Sequence, residues 1–293
     1  MQGCVHRNVH RRLAWLAAVC VIASQLPTAR VFAESARSTN FLVSGADRDM
    51  VIRVARAAED FRNKIAVAWL GEPLPNWSRP CPIKLRITGG EAGGVTSFSF
   101  DNGRVASQEM TLEGSPERII MSALPHEVTH TIFAWHFGSP MPRWADEGAC
   151  MLSEDSREIA RQDGIVRDLV VNQKQLPLKT LFMMEDYPKD LLGFYGQGYS
   201  VSRFLIEIGG RKRFLAFVGE GGRSGWDEAV RKHYQLNDSR ELDRAWRSWH
   251  RVVANRRQPG ESDGKATLVA MPQKPKTDAP VVRAQSGNES LRR

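Results

Sequence analysis

Residues 124–137, LPHEVTHTIFAWHF, and residues 142–154, PRWADEGACMLSE, are the stretches from which the rest of the chain is read. In the first, His126 and His130 are four residues apart in an apolar run. On a helix they stand one turn above each other on one face, so both imidazoles reach one ion. A catalytic zinc takes three protein ligands, keeps one position for water and lowers the pKa of that water toward neutrality. Glu127, next to the first histidine, is then the candidate general base that takes the water's proton and delivers it to a leaving amine. The motif is short, and two ordinary helix histidines would match it. Against that reading, unpaired imidazoles and a carboxylate in an apolar helix cost on the order of several kcal/mol.

The second stretch supplies the candidate third ligand, Glu147, on a helix expected to pack antiparallel to the first and face His126 and His130 across the seam. Asp146 is the competing carboxylate, pointing about a quarter turn away. Glu154, seven residues after Glu147 and expected on the same helix face, is either an acceptor for the outer N–H of a ligand histidine or a solvated helix-end acid.

HEVTH followed by WADEG, with 17 residues from the second histidine to the glutamate, resembles the gluzincin zinc metallopeptidases, and the WxxEG form resembles their aminopeptidase N branch. The segment FYGQGYSVSRFL extends the resemblance. In that branch a Tyr-x-x-Gly element opens a later helix, and here it falls on Tyr195 and Gly198. The resemblance implies that Tyr195 donates to the oxyanion of a tetrahedral intermediate, with Tyr199 as the fallback and a structural pair of tyrosines as the alternative. The chain also resembles uncharacterised exported bacterial members of the wider peptidase MA-like group. What this implies is a zincin-like fold holding Zn2+ on His126, His130 and Glu147, and a peptide or protein substrate. One element departs: the Gly-x-Met-Glu-Asn signature that binds a free amine in that branch is replaced by SQEMTLEG, with Glu109 and Met110 in the opposite order. An endopeptidase would bind an extended peptide by strand addition, and the stretch from Val105 to Leu112 is the candidate strand.

Outward from this centre, the apolar positions Val51, Val54, Ala55, Ala58, Phe61, Ile65 and Trp69 recur at helical spacing and predict a long amphipathic helix from Asp47 to Leu70. PIKLRIT alternates with period two, and VTSFSF, GRVAS and EMTLEG read as further short strands. Ser115 and Pro116 suit the start of a helix, in which Pro125 either kinks the run or begins a new helix at His126. Everything beyond reads as helix. The tryptophans at 144, 226, 246 and 249 fall at core positions of helical runs. His136, His233 and His250 have no partner spacing, and Arg211 to Arg213 begin a helix. The expected fold is therefore α+β: a lobe over 34–137 with a helix, a small mixed sheet and the HEVTH helix, then an all-helical lobe over 138–256.

The ends read differently. Residues 1–33 carry basic residues before the short apolar run LAWLAAVCVIASQL, the pattern of a signal peptide with a cut after Ala33; an uncleaved anchor is the alternative. No later stretch approaches transmembrane length, so the exported mature chain is not expected to insert stably in a membrane. Residues 257–293 have the composition of a disordered tail. The net charge of +8 is concentrated in these two ends, and 34–256 holds 30 basic against 29 acidic residues, which argues against a nucleic-acid partner. Four cysteines leave two in the mature chain, Cys81 and Cys150, either disulfide-bonded or both free. Two alternatives to a peptidase stay open: a non-catalytic envelope protein that keeps the fold for binding or assembly, and a zinc hydrolase of a non-peptide amide or ester.

Overall fold

The computed structural model describes residues 34–186 and 188–256. The expected leader and tail lie outside the described residues. Two strands that the sequence reading did not anticipate, β1 (Glu34–Arg37) and β2 (Phe41–Gly45), precede α1 (Arg48–Leu70). The Asp47 carboxylate caps α1 by accepting from the Met50 N–H at 3.0 Å, and Gly71 ends it in the left-handed region at φ 92°. Its buried stripe, Val51, Val54, Ala58, Ile65 and Trp69, covers one face of the sheet.

The sheet continues with β3 (Cys81–Ile87), β4 (Gly93–Asp101) and β5 (Arg104–Gly114) and has the order β1-β2-β3-β5-β4. β2, β3 and β5 run parallel; β1 and β4 are antiparallel edges. GRVAS and EMTLEG, read as separate strands, are one 11-residue strand. β5 lies between β3 and β4: it is paired with β4 from Arg104 to Glu113 but with β3 only from Met110 to Gly114. The expectation of an open edge over Val105–Leu112 therefore fails for Met110–Leu112, which are paired on both sides, while among the described residues Val105–Glu109 pair with β4 alone; β4 forms the outer edge of the sheet on this side. Period-two alternation divides the residues between faces. Phe41, Val43, Ile83, Leu85, Met110 and Leu112 are buried, whereas Lys84 and Glu109 pair at 3.5 Å on the exposed face. Glu109 therefore points away from the helix-covered side.

Beyond Gly114 the described residues contain no strand. α2 (Pro116–Arg118) runs through a π turn (Ile119–Ala123) into α3 (Leu124–Phe137). Pro125 is thus the second residue of α3, and the new helix opens at Leu124, directly after the π turn, rather than at His126. A proline has no N–H for the usual ladder, and the wider π turn just before it takes up that interruption. Then follow α4 (Arg143–Cys150), a 3-10 turn (Met151–Ser153), α5 (Ser156–Val171), α6 (Leu178–Phe182), α7 (Leu191–Gly209), α8 (Arg211–Ser224), α9 (Trp226–Tyr234) and α10 (Ser239–Arg256). Trp144 is fully buried with its ring 4.6 Å from Phe182 and 5.8 Å from Trp226, an aromatic layer under α4. Trp246 is also fully buried and donates to Ser200 Oγ at 3.0 Å. Sheet and helices fall in one compact unit, and no described helix is long and apolar enough to cross a membrane.

Candidate metal centre

α3 is buried on nearly every side, with Leu124, Val128 and Ile132 fully enclosed. The few polar side chains it carries must therefore be satisfied by the protein or by a ligand. His126 and His130 project from the same face, and their Nε2 atoms are 3.2 Å apart. Their outer nitrogens each meet a carboxylate: His126 Nδ1 lies 2.7 Å from Glu154 Oε1, and His130 Nδ1 lies 2.8 Å from Asp146 Oδ1. A neutral imidazole in this setting gives its one proton to the carboxylate, which leaves both Nε2 lone pairs facing each other.

Glu147, on α4, brings a third electron-rich atom to the same point. Its Oε2 is 3.6 Å from His126 Nε2 and 3.9 Å from His130 Nε2. Three acceptors this close repel unless a proton or a metal cation lies among them. The circle through atoms with these separations has a radius of about 2.1 Å, the length of a zinc–nitrogen or zinc–oxygen bond. The residues present fit a zinc-sized cation.

Charge points the same way. Burial alone would lower the pKa of His126, yet hydrogen bonds to Glu147 and Glu154 and the nearby Glu127 charge hold it well above the ordinary imidazole value. His130 is likewise pushed down by burial and by His126, and is raised overall by Asp146 and Glu147. The pocket thus favours positive charge. That is the environment four carboxylates create around two imidazoles, and it is the environment a divalent ion would satisfy.

A different trio is also close: ligand atoms of His126, His130 and Cys150 lie within 4.8 Å of one another. The two sets can be told apart by which edge of the imidazole they use. Cys150 Sγ sits 3.3 Å from His130 Nδ1, the nitrogen already engaged by Asp146, whereas Glu147 sits on the Nε2 side. Burial, followed by the charges of Asp146, Glu147, Glu127 and Glu154, pushes the Cys150 thiol well above its ordinary pKa. Cys81 is also a free, buried thiol, raised to about 12 chiefly by burial, and no disulfide joins the two.

Glu127 is buried, and its orientation comes from the sheet. Thr96 on β4 donates its hydroxyl to Glu127 Oε2 at 2.7 Å. Two residues earlier on the same face, Gly94 leaves room for the carboxylate: a Cβ there would lie 2.5 Å from Glu127 Cγ. Neither residue belongs to a recognisable motif, and the sequence reading missed both. Ser122 was also missed, although it stands four residues before His126; it donates to Glu154 Oε2 at 2.9 Å, so both oxygens of that carboxylate are engaged. Thr129 steadies the next turn by donating toward Ser153 Oγ at 2.8 Å.

Glu154 takes the acceptor role that was one of its two expected readings, but not from the expected place. α4 ends at Cys150, and Glu154 follows the 3-10 turn in extended conformation rather than sharing a helix face with Glu147. Asp146, read as a rival ligand, instead holds His130. Tyr199 is fully engaged elsewhere. Its hydroxyl donates to Asp163 at 3.2 Å and accepts from Arg203 at 3.2 Å, and burial raises its pKa to about 12. Tyr195 is half-buried on α7 with its ring 5.9 Å from Phe194. Three residues on, Gly198 makes the α4–α7 crossing, where a Cβ would meet Trp144 O at 2.6 Å, and Gly148, next to Glu147, has no room for a Cβ against Gly198. Those two glycines bring the helix of Tyr195 against the helix of Glu147.

No protein-family model matches the chain, and no curated protein matches it.

Proposed function

We propose that this protein is a zinc-dependent hydrolase of peptide bonds, with zinc held by His126, His130 and Glu147 in a gluzincin-like fold. The observation that carries the proposal is the convergence of three lone-pair atoms on one point at zinc-bond distance, with both histidines held in the matching tautomer by Glu154 and Asp146. Bound there, zinc supplies Lewis acidity and makes water a usable nucleophile at neutral pH.

The chain's own groups do the rest. Glu127, oriented by Thr96 and given room by Gly94, takes the proton of the attacking water and returns it to the leaving amine. Tyr195, by its resemblance to the Tyr-x-x-Gly element, donates to the oxyanion that forms on the substrate carbonyl. β4 offers an unpaired strand edge on the side of the sheet nearest Glu127, suited to hold an extended peptide. The signal pattern at residues 1–33 supports export, so the substrates would be peptides or proteins of the cell envelope or exterior.

Purified protein should retain one equivalent of zinc at neutral pH and cleave a mixed peptide library in a chelator-sensitive way. Glu127→Gln should keep the zinc and lose hydrolysis. Absence of stoichiometric zinc would overturn the metal assignment; zinc without cleavage of any peptide would overturn the peptidase assignment and leave the metal site standing.

A further inference from the structure

Arg118 is a buried cation on α2, two turns of helix before the first histidine, and nothing in the chemistry above uses it. Its guanidinium reaches three carboxylates: Nη2 donates to Glu158 Oε1 at 2.7 Å, Nη1 to Asp155, and Nε to Glu91 Oε2 at 3.3 Å. Two of these partners adjoin, in sequence, segments that build the metal centre. Glu91 lies three residues before Gly94, the residue that makes room for the base. Asp155 directly follows Glu154, the acceptor of His126, and caps α5 by accepting from the Arg157 and Glu158 N–H groups at 3.1 Å each.

The π turn makes this reach possible. Along a regular α-helix, residues four apart drift by about 40° per step, so Arg118, Ser122, His126 and His130 would wind away from one another. A π turn, with about 4.4 residues per turn, rotates the other way over the same spacing and straightens the row. The row then contacts one continuous segment: Arg118 meets Asp155 and Glu158, Ser122 and His126 meet Glu154, and His130 meets Asp146.

We propose that Arg118 is a positioning residue with two arms, one through Glu91 that sets the start of β4 and thereby the base Glu127, and one through Asp155 that sets the turn bearing Glu154 and thereby His126. The inference rests on the zinc-hydrolase reading for its consequences, but its mechanical part does not. The arms are also joined directly, because Arg157 in the first turn of α5 pairs with the other oxygen of Glu91. Glu91→Gln removes the charge that binds the β4 lead-in. Asp155→Asn removes the charge facing Arg118 while keeping a good helix cap.

Hydrogen exchange on the purified protein should rise over residues 91–98 in E91Q, with a smaller rise at the first turn of α5 where Arg157 loses its partner, and over residues 151–158 without 91–98 in D155N. Arg118→Met should raise both, and Arg118→Lys should restore part of the protection. In the zinc-loaded protein, D155N should release zinc to a chelator about tenfold faster, whereas E91Q should keep the wild-type release rate and lose about tenfold in hydrolysis. Identical exchange footprints in E91Q and D155N, or no change in either, would overturn the two-armed role. The exchange measurement holds whether or not the wild type binds zinc, so failure of this inference is distinguishable from failure of the functional reading.

Discussion

Replacing Glu154 by alanine tests how far the proposed zinc site depends on a residue outside its proposed ligand set. Glu154 accepts from His126 Nδ1 at 2.7 Å and from Ser122 Oγ at 2.9 Å, with little solvent access. Without it, the Nδ1–H loses its buried acceptor, a loss of about 1–3 kcal/mol. The imidazole recovers part of that by moving its proton to Nε2, where the ligand lone pair is needed. Zinc affinity should therefore fall about 10- to 100-fold, or about 1.4–2.7 kcal/mol. Glu154→Gln keeps an acceptor oxygen and should recover most of the loss. Asp146→Ala should cost less than Glu154→Ala, because the Asp146 side chain is 29% exposed against 11% for Glu154, so water can replace it. The assay is chelator competition at fixed pH on the purified variants. Unchanged affinity in E154A, or E154Q as weak as E154A, would refute the tautomer argument.

Three further outcomes follow from the same geometry. Gly94→Ala should push the Glu127 carboxylate aside and lower hydrolysis about 100-fold with zinc content intact; loss of zinc or full activity would count against the proposed role of β4. Cys150→Ser should leave zinc affinity close to wild type, and the cobalt-substituted wild type should show no sulfur-to-metal charge-transfer band; a band abolished by C150S would make Cys150 a ligand. For Asp155, burial would raise the pKa, but the Glu158 N–H and the Arg118 guanidinium hold it below the ordinary aspartate value. Its folded pKa being the lower one, its stabilisation is complete above about pH 4 and is lost as pH falls through the folded value. The denaturant-midpoint gap between wild type and D155N should accordingly be wide at pH 6 and narrow at pH 3.

The centre divides into parts that were legible in the chain and parts that were not. His126, Glu127 and His130 could be read because helical spacing is local: four residues along an apolar helix put two imidazoles on one face whatever else the chain does. α1 was legible for the same reason, through its periodic buried stripe and its Asp47 cap. Glu147 was legible only through resemblance, since an antiparallel packing of α3 and α4 had to be assumed. Thr96 and Gly94 left no signal, because a single threonine and a single glycine in an alternating strand look like any others until the strand is laid against a helix. The strand edge was misjudged for Met110–Leu112 on similar grounds. Alternation marks which face of a strand is buried, but whether its backbone is already paired depends on the order of strands, and that order is not a local property.

What the sequence determined by itself was the chemistry on offer: two imidazoles and a carboxylate spaced for one helix turn, and an α+β chain whose second half is helical. The tertiary structure alone decided how that chemistry is arranged. It assigned Asp146 and Glu154 to the outer edges of the two rings, turned Cys150 to the Nδ1 side and Glu147 to the Nε2 side, and set β4 against Glu127. Each of these is a contact between elements distant in the chain, set by sheet order and by helices meeting at Gly148 and Gly198. Local spacing can select which atoms face one way, but only packing selects what they face.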